Sequence, residues 1–193
     1  MIKEICVIDI ETTGFSKEKD CILELGATSL NLDTGERKPL FNATFKEPHF
    51  TERLEKHYAA EKEHHNIWIF DNSDMTVQEI MSSKDIEEYR PQIQAIFDKY
   101  QGRITAWNRP FDAGFLEYRG FNLGAQMSDP MRDSTDYFQL QSDKGGYKWP
   151  KVTEAMQLLF PVIQYVEEHR GLSDSDDEAL IIGELIKLGV YKI

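Results

Sequence analysis

The chain has 193 residues, 40% of them hydrophobic and 29% charged, which excludes a disordered polymer and suits one domain with a core of its own. Its net charge of −12 excludes a protein that grips long duplexes by charge alone, because such binding draws on clustered Lys and Arg. No run approaches the ~18 apolar residues of a membrane span.

In chain order, residues 3–10 read as a first strand. The N-terminal "MIKEICVIDI" ends in acids rather than in a small-residue cleavage site, so it does not read as a signal peptide. Residues 22–32 form a second strand, and the turn signal "DTGER" leads to a third at about 38–46, an antiparallel meander. Cys6 and Cys21 lie in these strand-like segments, and two lone thiols point to a reducing, cytoplasmic setting. Residues 51–65 are helical in pattern but highly charged. There His57, Glu61 and His65 recur every four residues, a chelating spacing that fits a solvated helix face better. Residues 83–102 form a helix with Pro91 inside or near its start, and "RITAWN" (103–108) forms a short buried strand. Pro110 opens a helix through Arg119, since proline suits the first helical position. "KGGYKWPK" (144–151) sets three lysines beside Tyr147 and Trp149, which suits phosphate contact and base stacking, or else a glycine turn with Trp149 in the core. Residues 152–160 form another helix, stopped before Pro161. Ser173 is the expected cap of the last helix, with Asp176 as its capping-box-like partner, and Gly189 ends it. A three-stranded meander followed by strands alternating with helices predicts an α/β domain with a mixed sheet, spanning residues 1–193 as one unit.

Three acidic places stand out. In "CVIDIETTG" the first strand ends in Asp9 and Glu11, which share a face because side chains alternate along a strand. Two acids there repel unless compensated, and a hard dication bound by oxygen ligands is the natural compensation; a frayed, solvated strand end is the plain alternative. Thr12, Thr13 and Gly14 follow, small groups that let a substrate backbone approach closely. In "AWNRPFDAGFL", Asp112 falls in the first turn of a helix, four residues after Asn108, where an acid also complements the helix dipole. In "EHRGLSDSDDEAL", His169 and Asp174 are five apart; dipole complementarity accounts for Asp176, Asp177 and Glu178 but not for His169.

In this order, D-x-E, N-x-x-x-D and H-x-x-x-x-D resemble the DEDD exonuclease superfamily, and the histidine marks its DEDDh, or DnaQ-like, branch with a ribonuclease H-like fold. The resemblance runs from Ile5 to Leu188. It implies Asp9, Glu11, Asp112 and Asp174 as ligands of two Mg2+ or Mn2+ ions and His169 as general base. It implies Thr12, Thr13 and Gly14 at the substrate's 3′ end, with Asn108 in contact nearby. The expected activity is 3′–5′ hydrolysis of single-stranded DNA or RNA to nucleoside 5′-monophosphates. Where the family often has alanines, this chain has Gly171 and Ser175, and residues 47–80 match nothing in the pattern. The acidic charge favours single strands, short oligomers or a partner, such as a polymerase, that delivers the end. Two rivals are kept. One is a haloacid dehalogenase-type phosphatase with Asp9 as nucleophile, which needs a further acidic pair after a later strand. The other is a non-catalytic nucleic-acid-binding or assembly module.

Overall fold

The computed structural model describes residues 2–59 and 67–193, with the backbone alone for 56–59; the side chains of His57, Glu61 and His65 lie outside the described residues. The elements are β1 (Glu4–Thr12), β2 (Ile22–Asn31), β3 (Arg37–Thr44), α1 (Phe50–Ala59), α2 (Trp68–Asn72), α3 (Val77–Ser82), α4 (Ile86–Lys99), β4 (Ile104–Thr105), α5 (Arg109–Tyr118), α6 (Pro130–Asp133), α7 (Thr135–Phe138), α8 (Val152–Leu159) and α9 (Gly171–Lys187). Among the described residues the strands form one mixed sheet in the order β3-β2-β1-β4. β1–β2 and β2–β3 are antiparallel, and β1–β4 is parallel.

Period-two alternation along β1 sorts its side chains. Cys6, Ile8 and Ile10 face a core that includes Ile93 and Phe97 of α4 and Phe115 and Leu116 of α5. Ile5 and Val7 face the opposite core, shared with Ala155 and Met156 of α8 and Ala179 and Ile182 of α9. Asp9 and Glu11 continue that second stripe, on the α9 face. A third cluster joins Cys21 and Leu23 to Phe50, Leu54, Ile67, Ile69, Met75 and Ile80. It docks the previously unplaced segment at the start of β2.

Helix α9 lies against β2 at backbone contact. A Cβ on Gly26 would stand 1.9 Å from the Gly171 carbonyl carbon, and one on Gly171 would stand 2.6 Å from the Gly26 nitrogen. One turn on, the Thr28 and Ser175 hydroxyls are 3.0 Å apart. Gly171 is therefore required by this packing, not a neutral replacement for alanine.

Three expected boundaries move. The last helix starts at Gly171, not Ser173, because its free amide is capped from another strand: Gly171 N–H donates to Glu24 Oε2 at 3.1 Å. Ser173 is inside the helix. Pro91 sits within α4, whose cap is Asp85, accepting from the Glu87 amide at 2.9 Å. β4 is two residues long, pairing only Cys6 with Ile104 and Val7 with Thr105. The chain leaves the sheet there because the Trp107 amide turns to the Glu178 carboxylate, 2.9 Å away, and Asn108 adopts a left-handed φ of 62° to start α5. No helix among the described residues is long and apolar enough to cross a membrane.

Candidate active site

The C-terminal end of β1 and the N-terminal ends of α5 and α9 meet at one place. Glu11, His169 and Asp174 each offer a ligand atom there, all within 4.8 Å of one another. Asp112 approaches from α5, where its Oδ1 accepts the Ile10 amide at 3.1 Å. Asp112 and Asp174 are both only 3% exposed. Asp9 is repelled by Asp112, and in turn repels Glu11 and Asp174.

Burial is the first cause of strain in this group and mutual repulsion the second. Together they push the Glu11 carboxyl up to about 10 and that of Asp174 up to about 9. Burial also raises Asp9 and Asp112 well above the carboxylate range, and for Asp112 the bond from Ile10 partly opposes the rise. Asp9 Oδ2 and Asp174 Oδ1 are buried with no hydrogen-bond partner among the described residues. Two orphaned oxygens among repelling carboxylates, with an imidazole beside them, fit a hard divalent cation.

The other expected residues divide. Thr12 Oγ1 donates to the Gly14 carbonyl at 2.6 Å, and Asn108 caps α5 by its backbone with its side chain making no capping bond. Thr13 is buried; its hydroxyl donates to Asp20 at 3.3 Å and accepts the Cys21 amide at 2.9 Å, so it closes the 13–21 loop. The group that requires Gly14 to be small is the Asp20 carboxylate, 2.6 Å from where a Cβ would sit.

Sequence reasoning missed several neighbours. Glu178, read as a dipole partner, is buried, donated to by Trp107, and raised by burial and by repulsion from Asp9 and Asp112. Its signal was present: four residues after Asp174, it shares that helix face. Glu24 stands opposite Glu11 across β1–β2, a like-charge pair compensated by Arg170, whose guanidinium bonds Glu24 at 3.0 and 3.2 Å. A lone glutamate inside the apolar "ILELG" was the cue. Phe15 projects into solvent, 94% exposed, with its ring 6.3 Å from Phe111. Asp176 turns aside to Arg37 at 2.9 Å. Asp174 through Asp177 all lie within α9, not after a strand, which removes the acidic pair that the phosphatase alternative required.

A family model described as Exonuclease matches residues 6–181. A DNA polymerase III PolC-type protein of Clostridium perfringens is 25% identical over 197 residues, covering 98% of this chain; the chain spans 11% of that protein's length. Two solved structures share the fold. One is a 3′-exonuclease described for 3′-end specific recognition of histone mRNA stem-loop, with TM-score 0.68, 16% identity, and coverage of 98% of this chain and 84% of that one. The other is Escherichia coli exonuclease I in complex with a dT13 oligonucleotide, with TM-score 0.65, 13% identity, and coverage of 95% and 41%. The family match across nearly the whole chain, on a mixed sheet whose first strand delivers D-x-E to an acidic cluster, shows that this chain belongs to the exonuclease family, as a DEDDh-type member of the ribonuclease H-like superfamily.

Proposed function

We propose that residues 1–193 form a single exonuclease domain that removes nucleoside 5′-monophosphates from the 3′ end of single-stranded DNA or RNA. The observation that carries this reading is the convergence of Glu11, His169 and Asp174 within 4.8 Å, beside the orphaned oxygens of Asp9 and Asp174. Asp9, Glu11, Asp112 and Asp174 would hold two Mg2+ or Mn2+ ions, which when bound stabilise charge on the attacking and leaving oxygens. His169 takes the proton of the attacking water as the P–O3′ bond breaks, a role suited to an imidazole near neutral pH. Thr12, Thr13 and Gly14 shape the loop that meets the 3′ end, and the Asn108 amide faces the substrate from the start of α5. The exposed Phe15 ring, set edge-on against half-buried Phe111, offers a surface for the terminal base.

The "KGGYKWPK" segment supports a single strand as substrate. Trp149 is 55% exposed rather than packed in the core, the Arg132 guanidinium lies 4.7 Å from its ring centre, and Tyr147 is exposed as well. The segment is tied to the site through Trp107, whose Nε1 donates to the Pro150 carbonyl at 2.9 Å. The PolC-type relative supports a polymerase as the partner that delivers the end. Free, buried Cys6 and Cys21 support a reducing, cytoplasmic setting.

The test is digestion of 5′-labelled single-stranded DNA and RNA with magnesium, manganese or chelator. A descending ladder that needs metal is expected. His169→Ala should lose about 10²–10⁴-fold in turnover while calorimetry still shows metal binding. Unchanged turnover removes the base assignment, and absence of both ladder and metal binding favours the non-catalytic module.

A further inference from the structure

We propose that Trp68, on the α2–α3 segment, is a positioning residue that sets the His169 imidazole; the inference rests on the reading of His169 as general base. His169 has a left-handed backbone, φ 55°, a conformation that strains a non-glycine residue and persists only where neighbours impose it. Two groups of contacts impose it here. On the chain side, Arg170 bridges Glu24 of β2 to Asp74 at 2.9 Å and to Glu79 of α3 at 2.9 Å, joining the histidine loop to both the sheet and the 67–83 segment. On the ring side, the Trp68 indole meets the His169 imidazole edge-on, with centroids 4.7 Å apart and planes at 77°.

Core packing does not explain where Trp68 sits. It is 57% exposed, whereas Ile67 and Ile69 on either side are buried in the third cluster. The buried pair anchors the helix and leaves the indole against the histidine. The other groups facing that imidazole are the carboxylates of Glu11, Asp174 and Glu167. The indole supplies a wall. Small displacements of a reacting group lower turnover steeply, so loss of the wall acts on the chemical step.

Trp68→Ala should lower kcat about tenfold, leave KM and metal affinity within about twofold, and Trp68→Phe should restore most of the rate. In a His169→Ala background the same change should have no further effect on residual turnover, since its partner is gone. Without metal or substrate, the ring-proton NMR signals of His169 should shift in Trp68→Ala through loss of the indole ring current. A raised KM with kcat intact would make Trp68 a substrate contact and overturn the proposal; so would an undiminished effect in the His169→Ala background. Full activity of His169→Ala alone defeats the general-base reading, whereas a normal loss there beside an unaffected Trp68→Ala defeats the positioning role only.

Discussion

Asp174→Asn should make the metal-free protein more stable while abolishing its response to magnesium. Asp174 and Glu11 offer oxygens within 4.8 Å, and two unit charges at that separation repel by about 3 kcal/mol at an effective dielectric of ~20. At pH 8 Asp174 escapes repulsion by holding a proton, since its carboxyl is pushed up to about 9, but keeping it protonated there costs the folded state a comparable amount. Asparagine cannot ionise, so the variant escapes that cost, a gain of about 3 kcal/mol, or about 6–12 °C in Tm for a chain of this length. The assay is thermal melting at pH 8, in chelator and in excess magnesium. The parent should rise on adding magnesium, whereas Asp174→Asn should start higher and stay there. A variant that melts below the parent in chelator, or that keeps the full magnesium shift, would refute the account of these carboxylates as a strained cation site.

Other consequences are open to measurement. Because Glu11 and Asp174 are raised, the folded metal-free protein binds more protons than the unfolded chain between the unfolded values near 4 and the folded values of about 10 and 9. Its stability should therefore fall as pH rises through that window, and urea titrations at pH 5 and 9 with chelator should show the drop, with magnesium removing much of it. Gly26→Ala places a methyl 1.9 Å from the Gly171 backbone and should cost about 3 kcal/mol or more, or prevent folding; a loss below about 1 kcal/mol in urea would contradict the strand–helix contact. Trp149→Ala should raise KM for a single strand about 5-fold or more, from a stacking contribution of about 1–3 kcal/mol, with kcat retained; unchanged KM would leave the exposed tryptophan without that role.

The meander, the short buried strand and the helices were legible because each carries its own period or punctuation: alternation in "CVIDI", the turn "DTGER", and Pro110 at a helix start. The N-terminus of α9 was misread because local capping chemistry pointed to Ser173, while the actual cap is Glu24, 147 residues before Gly171. A partner that remote leaves no local trace. Glu178 was read as a dipole partner for a similar reason, since acids near a helix start complement its dipole, and only the packing of α9 on β1, with the bond from the Trp107 amide, shows it buried. Trp68 escaped notice because residues 47–80 match nothing in the family pattern, and its contact with His169 depends on the third cluster, which buries Ile67 and Ile69 on either side of it.

The bond from Ile10 N–H to Asp112 Oδ1 has a practical bearing on how an inactive form should be prepared. Beyond Val7, β1 no longer pairs with β4, and at Ile10 this carboxylate stands in for the missing ladder partner. Truncation to alanine would leave a buried main-chain donor unanswered and disturb the backbone that presents the neighbouring acids. Asparagine keeps an acceptor at the same position, so it is the better choice for trapping an intact oligonucleotide for crystallography.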